Sequence, residues 1–131
     1  MKSGTLIAVL ILTGYVALEA YTIRKASHRM EPAYIHNMLI EAKVATELCK
    51  AKALELKPRF DKTLHRVTES YQTELRANDP DLTDNELSQQ LALQVAAANE
   101  RVTQAVNAAG CLNTQITAHF QRYRIYAKKT R

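Results

Sequence analysis

Cys49 and Cys111, the only two cysteines of this 131-residue chain, each lie 31 positions from Pro80. Pro80 sits in the one clear turn signal, Asn78-Asp79-Pro80-Asp81-Leu82, and the chain on both sides carries helical periodicity. Folding back at that turn predicts an antiparallel helical hairpin with both cysteines at one level. Neighbouring helix axes lie about 8–10 Å apart, and a disulfide needs Cα atoms within about 7 Å. Two thiols facing each other across such a seam can bridge. A structural disulfide between Cys49 and Cys111 is expected, and an oxidising compartment with it.

The rest of the sequence agrees with an all-α fold. There are three glycines, three prolines and no tryptophan, while alanine, leucine, glutamate, lysine and glutamine, all good helix formers, dominate. Alternating runs of β-branched residues bounded by turn signals are missing, so strands are not expected. An apolar stripe runs through Ile35, Met38, Ala42, Ala45, Cys49 and Leu56, and resumes beyond Pro58 as Phe60, Leu64, Val67, Tyr71 and Leu75. Pro58 either opens a new helix or kinks a long one. After the turn, Thr83 and Glu86 form a capping box that starts the return helix. Its stripe is Leu87, Leu91, Val95, Ala98, Val102, Val106 and Ala109. Gly110 is a possible stop, yet Leu112, Ile116, Phe120, Tyr123 and Ala127 keep the period, so the helix is expected to run on. Two long arms result, roughly residues 33–78 and 83–127, with the stripes packed inside the hairpin. Four shorter helices, broken at Pro58 and near Gly110, are the alternative.

Residues 1–25 read as a transmembrane anchor or a signal peptide, followed by a hairpin domain over residues 26–131. Ser3 to Ile23 carries a single charge, Glu19, and is long enough to span a bilayer, which takes about 20 residues. Arg24, Lys25 and Arg29 would stop the span, with Tyr15 and Tyr21 near headgroup depth. The competing reading has an apolar run from Leu6 to Leu18 and cleavage after Ala20. The anchor is the preferred reading.

The net charge of +5 is unevenly placed. Residues 30–100 hold eight Lys/Arg against twelve Asp/Glu, whereas Arg24, Lys25 and Arg29 precede them. From Cys111 onward there are five basic residues (Arg122, Arg124, Lys128, Lys129 and Arg131) and no acid. A hairpin would pool the two basic segments at one pole. With Phe120, Tyr123 and Tyr126 interleaved, that pole suits an anionic membrane surface, so Arg24, Lys25, Arg29, Arg122, Arg124, Lys128 and Lys129 are expected lipid contacts. Nucleic-acid binding is not expected, because no recognised binding motif accompanies the basic residues. Basic residues after the span favour the cytosolic or matrix side, whereas a disulfide favours the opposite one; the cysteine geometry places the domain on the oxidising side.

No catalytic constellation is visible. The histidines, His28, His36, His65 and His119, are scattered without the spacing of a metal face, and glycine is too rare for a phosphate loop. His119 falls level with Glu41 in the hairpin, where a hydrogen-bonded pair is expected. Neither cysteine belongs to a CxxC motif. Paired cysteines across a helical hairpin resemble the twin-cysteine proteins of the mitochondrial intermembrane space, but this chain lacks their doubled, evenly spaced pairs. No cofactor, metal or small-molecule substrate is expected. The function read from these features is that of a non-catalytic, single-span accessory or assembly subunit of a larger membrane complex, such as one in an energy-transducing inner membrane. It would act through helix–helix contacts with other subunits, and Leu39, Leu48, Leu54 and Leu93 are candidate partner-facing positions. The alternative is a secreted or periplasmic helical protein that binds or inhibits another protein after signal cleavage.

Overall fold

The first helix stops well before Pro58. In the computed structural model, which describes residues 32–129, helix α1 covers residues 32–48. Lys50 then takes a left-handed backbone with φ of +49°. Its N–H donates to the carbonyl of Glu47 at 3.3 Å, and the N–H of Ala51 donates to that of Thr46 at 3.0 Å. This paired closure is a Schellman ending, in which glycine usually holds the left-handed position. A short 3-10 turn, Lys52–Leu56, leads into α2, Lys57–Asn78. Pro58 lies in the first turn of α2, where its missing N–H would have had no helical partner. Helix α3, Asp84–Ala109, starts at Thr83, whose hydroxyl accepts from the N–H of Glu86 at 3.2 Å. It ends at Gly110 with φ of +79°. A Cβ on Gly110 would meet nothing within 4 Å, so the backbone angle alone asks for glycine there. Helix α4, Thr114–Lys128, is capped by Asn113, which accepts from the N–H of Gln115 at 2.8 Å.

The described residues are therefore all-helical, with no strand, and form four α-helices where two long arms are expected. The turn at Pro80 is present, but the chain also reverses after α1 and after α3. Leu112, expected to continue the return stripe, sits in the second of these turns and is 92% exposed. The directions follow from the contacts. His36 stacks on Tyr71, with ring centroids 5.1 Å apart, while Glu47 meets Lys57 at 3.8 Å, so α1 and α2 are antiparallel. His36 also bonds Gln94 and Glu41 bonds Arg101, so α1 and α3 run parallel. Phe60 stacks on Tyr123 with centroids 3.8 Å apart, and the Thr63 hydroxyl donates to the Tyr126 carbonyl at 2.9 Å, so α2 and α4 run parallel.

Helix α1 is the centre of this arrangement. Of residues 32–48 only Tyr34, Glu47 and Leu48 are exposed, as expected for a helix with apolar side chains on most of its circumference. Leu39 and Ala42 join Phe60, Tyr123 and Ala127 in one core cluster, and Ala45 joins Val102 and Ile116 in a second. The rest of the first expected arm and the second arm thus pack onto α1, which touches Tyr71 of α2 and Gln94 of α3 through a single residue, His36. Leu39, expected to face a partner, is fully buried instead; burial of a leucine contributes about 1.5–3 kcal/mol to the domain's own stability. Among the described residues no helix is long and apolar enough to cross a membrane. The expected anchor or signal segment, with Arg24, Lys25 and Arg29, lies outside the described residues.

Candidate functional site

The cysteines belong to two turns at one end of the molecule. Cys49 follows α1 and Cys111 follows the Gly110 stop of α3. Because α1 and α3 run parallel, both turns arrive at the same level. The two residues lie at disulfide distance, with Sγ atoms 2.05 Å apart and Cα atoms 5.8 Å apart. Cys49 also packs against the cluster of Ala45, Val102 and Ile116. The equal spacing from Pro80 led to the right pair by a different geometry: parallel helices ending together, not antiparallel arms meeting across a seam.

Above this end, α1, α3 and α4 leave an open cleft of about 510 Å³. Its charged groups are Glu41, Arg101 and Arg122, with His119 between them. Arg101 Nε donates to Glu41 Oε1 at 2.9 Å, and its Nη2 donates to Asn37 Oδ1 at 3.0 Å. Arg122 Nη1 lies 3.4 Å from His119 Nδ1. Burial holds the His119 imidazole below its ordinary pKa of 6.5, against the pull of Glu41 and with the help of Arg122. His119 and Glu41 thus share the cleft, as their matched levels suggest, but they do not bond each other: Arg101 donates to Glu41 and Arg122 to His119. The role of Arg101 was missed in sequence. Its signal is there to read: it is the one Lys/Arg or Asp/Glu residue between Glu100 and Arg122.

The other two described histidines, His36 and His65, are separate from this cleft. His36 is buried, its Nδ1 is 2.8 Å from Gln94 Oε1, and burial lowers its pKa. His65 is exposed and pairs with Glu69 one helical turn away, at 3.1 Å. Among the described residues no group of three or more His, Cys, Asp or Glu could hold a metal ion.

Two surfaces complete the inventory. A second open groove, of about 490 Å³, runs between α1 and α3 on the outer side. Ile40, Val44, Leu48 and Val95 supply its apolar lining, with Lys43 and Glu47 beside them. Leu93, 71% exposed, and Leu54, half-buried, lie outside its lining. The other surface is the outward face of α4. Ile125 is 52% exposed at its middle. Helical spacing places Arg124 and Lys128 on one flank and Arg122 and Lys129 on the other. Lys129 Nζ lies 4.5 Å from the centre of the Tyr126 ring. Arg124, Lys128 and Lys129 are exposed, while Arg122 turns partly into the cleft. The end of α4 also comes back to the start of α1, since Ile35 packs against the cluster that holds Ala127.

Comparison with known proteins returns no matching family model, no matching curated protein and no matching solved structure.

Proposed function

We propose that this chain is a non-catalytic, single-span accessory or assembly subunit of a larger membrane complex, of the kind an energy-transducing inner membrane holds. It acts through helix–helix contacts. The observation that carries this reading is the outer groove between α1 and α3. Leu48 and Val95 are 46% and 41% exposed there and gather with Ile40 and Val44 in one groove, whereas Leu93, Leu112 and Ile125 stand exposed outside it. A groove between two helices seats a third by ridge-into-groove packing. Lys43 and Glu47 on its rim offer the incoming helix one group of each sign.

The outward face of α4 supports the membrane side of the proposal. An exposed isoleucine ringed by cations suits an interface with anionic headgroups. The cysteine pair supports a domain on the oxidising side. A photo-reactive side chain at position 48, in full-length protein extracted with mild detergent, tests the main claim. A discrete adduct with another membrane subunit is expected, and it should vanish with Val95→Asp. No adduct, or one indifferent to that change, would sink it.

The second reading is a released helical protein that binds another protein. It is favoured by the compact unit that Pro32–Arg131 forms, with two core clusters among its described residues. The N-terminal residue of the native protein separates the two: Met1 retained supports the anchor, Tyr21 first supports release.

A further inference from the structure

We propose that the cleft between α3 and α4 is a binding site for a small organic carboxylate, with Arg122 as its principal anchor. The argument begins with charge. Glu41 is neutralised by Arg101 at 2.9 Å, and the other arm of Arg101 is held by Asn37. Arg122 has no such partner. Among the described residues its guanidinium forms no ion pair, and its one hydrogen bond is to the imidazole of His119. A guanidinium can only donate, so His119 Nδ1 accepts and the ring's own proton sits on Nε2. Burial keeps that ring neutral, and a neutral ring leaves the charge of Arg122 uncompensated. A partly buried, unpaired guanidinium is the group most suited to a carboxylate, which it can grip with two parallel hydrogen bonds.

The walls set the size and class of the ligand. The cleft's volume of about 510 Å³ lies within the range of small-molecule sites, about 300–1,000 Å³. Val102, Ala105, Ile116 and Ala118 give it a short apolar wall, while Thr114 and Gln115 add polar groups to its lining. A ligand with one negative charge and a short aliphatic body satisfies both. Glu41 and Arg101 cancel, so the one uncompensated cation, Arg122, matches one negative charge and not two. The carboxylate can come from a free metabolite-sized acid or from the C-terminus of a peptide, and the chemistry at Arg122 is shared.

The test titrates full-length protein, isotopically labelled and in mild detergent, with sodium butyrate, with N-acetyl-dialanine, and with sodium chloride at matched ionic strength. Saturable shifts at the Arg122 side-chain N–H and the Ala118 amide are expected with the two carboxylates and not with chloride. The tighter of the two names the source. Arg122→Gln should weaken binding about tenfold or more, the loss of a charge-assisted hydrogen bond. Ala118→Leu, which narrows the cleft without changing charge, should weaken it too, and the helical circular dichroism of both variants should match the parent. Shifts that chloride reproduces, that never saturate, or that persist unchanged in both folded variants would overturn the site.

Discussion

Cys49 and Cys111 join the C-terminal turns of two parallel helices, with Cα atoms 5.8 Å apart and 62 positions between them in the chain. The pair therefore holds the end of the central helix α1 against the end of α3. Closing so long a loop is worth about 4 kcal/mol in the chain-entropy model. A peptide linking the two cysteines should appear in mass spectra of non-reduced protein. Reduction should lower the unfolding midpoint, and Cys111→Ser should lower it about equally. Two freely alkylatable thiols in the native protein would contradict the assignment.

Lys50 marks where sequence reading and structure part. The left-handed position that ends α1 is held by a lysine, without the glycine or proline that usually announces a stop, so the sequence signals its break at Pro58 and α1 and α2 fall within one expected arm. Nothing in the local pattern separates a helix that ends at residue 48 from one that kinks at 58. Tertiary packing decides, because reversing the chain buries α1 on nearly all sides. Signals carried by local backbone chemistry are legible in the turn at Pro80 and the Thr83 cap, whereas the Gly110 stop is overridden by the apolar period that continues through Leu112 and Ile116. The cleft was only half legible. His119 and Glu41 emerge from matched levels and Arg122 follows His119 by one turn of α4, whereas Arg101 enters through the parallel course of α1 and α3, which the hairpin did not contain.

The same lysine gives a prediction. A non-glycine residue in the left-handed region is disfavoured by about 1–2 kcal/mol, while glycine costs some unfolded-state entropy, about 0.4–1 kcal/mol. Lys50→Gly should stabilise the domain by about 0.5–1 kcal/mol, read as a raised denaturant midpoint at constant slope. A lowered midpoint would show that the Lys50 side chain contributes more than its backbone loses.

Thr83 caps α3 on an exposed turn, with its hydroxyl 3.2 Å from the N–H of Glu86. Thr83→Ala removes that acceptor and should cost about 0.5–2 kcal/mol. An unchanged melting midpoint would mean that water or the neighbouring Asp84 satisfies the helix start equally well.

His36 makes stability depend on pH in a defined direction. Burial, the dominant cause, lowers its folded pKa below 6.5, and the bond to Gln94 opposes this only in part. The unfolded chain therefore binds the proton more readily, so this contribution is fully present above about pH 6.5 and is lost as pH falls toward the folded value. His119, lowered chiefly by burial as well, acts in the same sense. The denaturant midpoint should drop between about pH 7.5 and about pH 5.5, and His36→Gln should flatten part of that drop. A midpoint that holds steady over this interval in the parent protein would exclude the buried, neutral histidines.

The outward face of α4 is the remaining surface with a testable partner. Ile125 is half exposed at its centre, Arg124, Lys128 and Lys129 surround it in solvent, and no acidic residue occurs from Cys111 to the end of the chain. Each cation near an anionic bilayer is worth about 1 kcal/mol, so three exposed cations and one apolar side chain give weak but measurable attachment. Residues 32–131, which carry their own core, should bind vesicles containing phosphatidylserine and ignore vesicles of phosphatidylcholine alone. Raising salt should weaken the binding, because screening already limits the electrostatic range to about 8 Å at physiological strength. Replacing Arg124, Lys128 and Lys129 by glutamine should remove most of it, whereas Arg122→Gln, which changes a residue turned partly into the cleft, should matter less. Ile125→Ser should weaken binding without altering its salt dependence, since it removes insertion and leaves the charge. Binding that survives the triple change would assign the cations to solvent and leave this face to a protein neighbour.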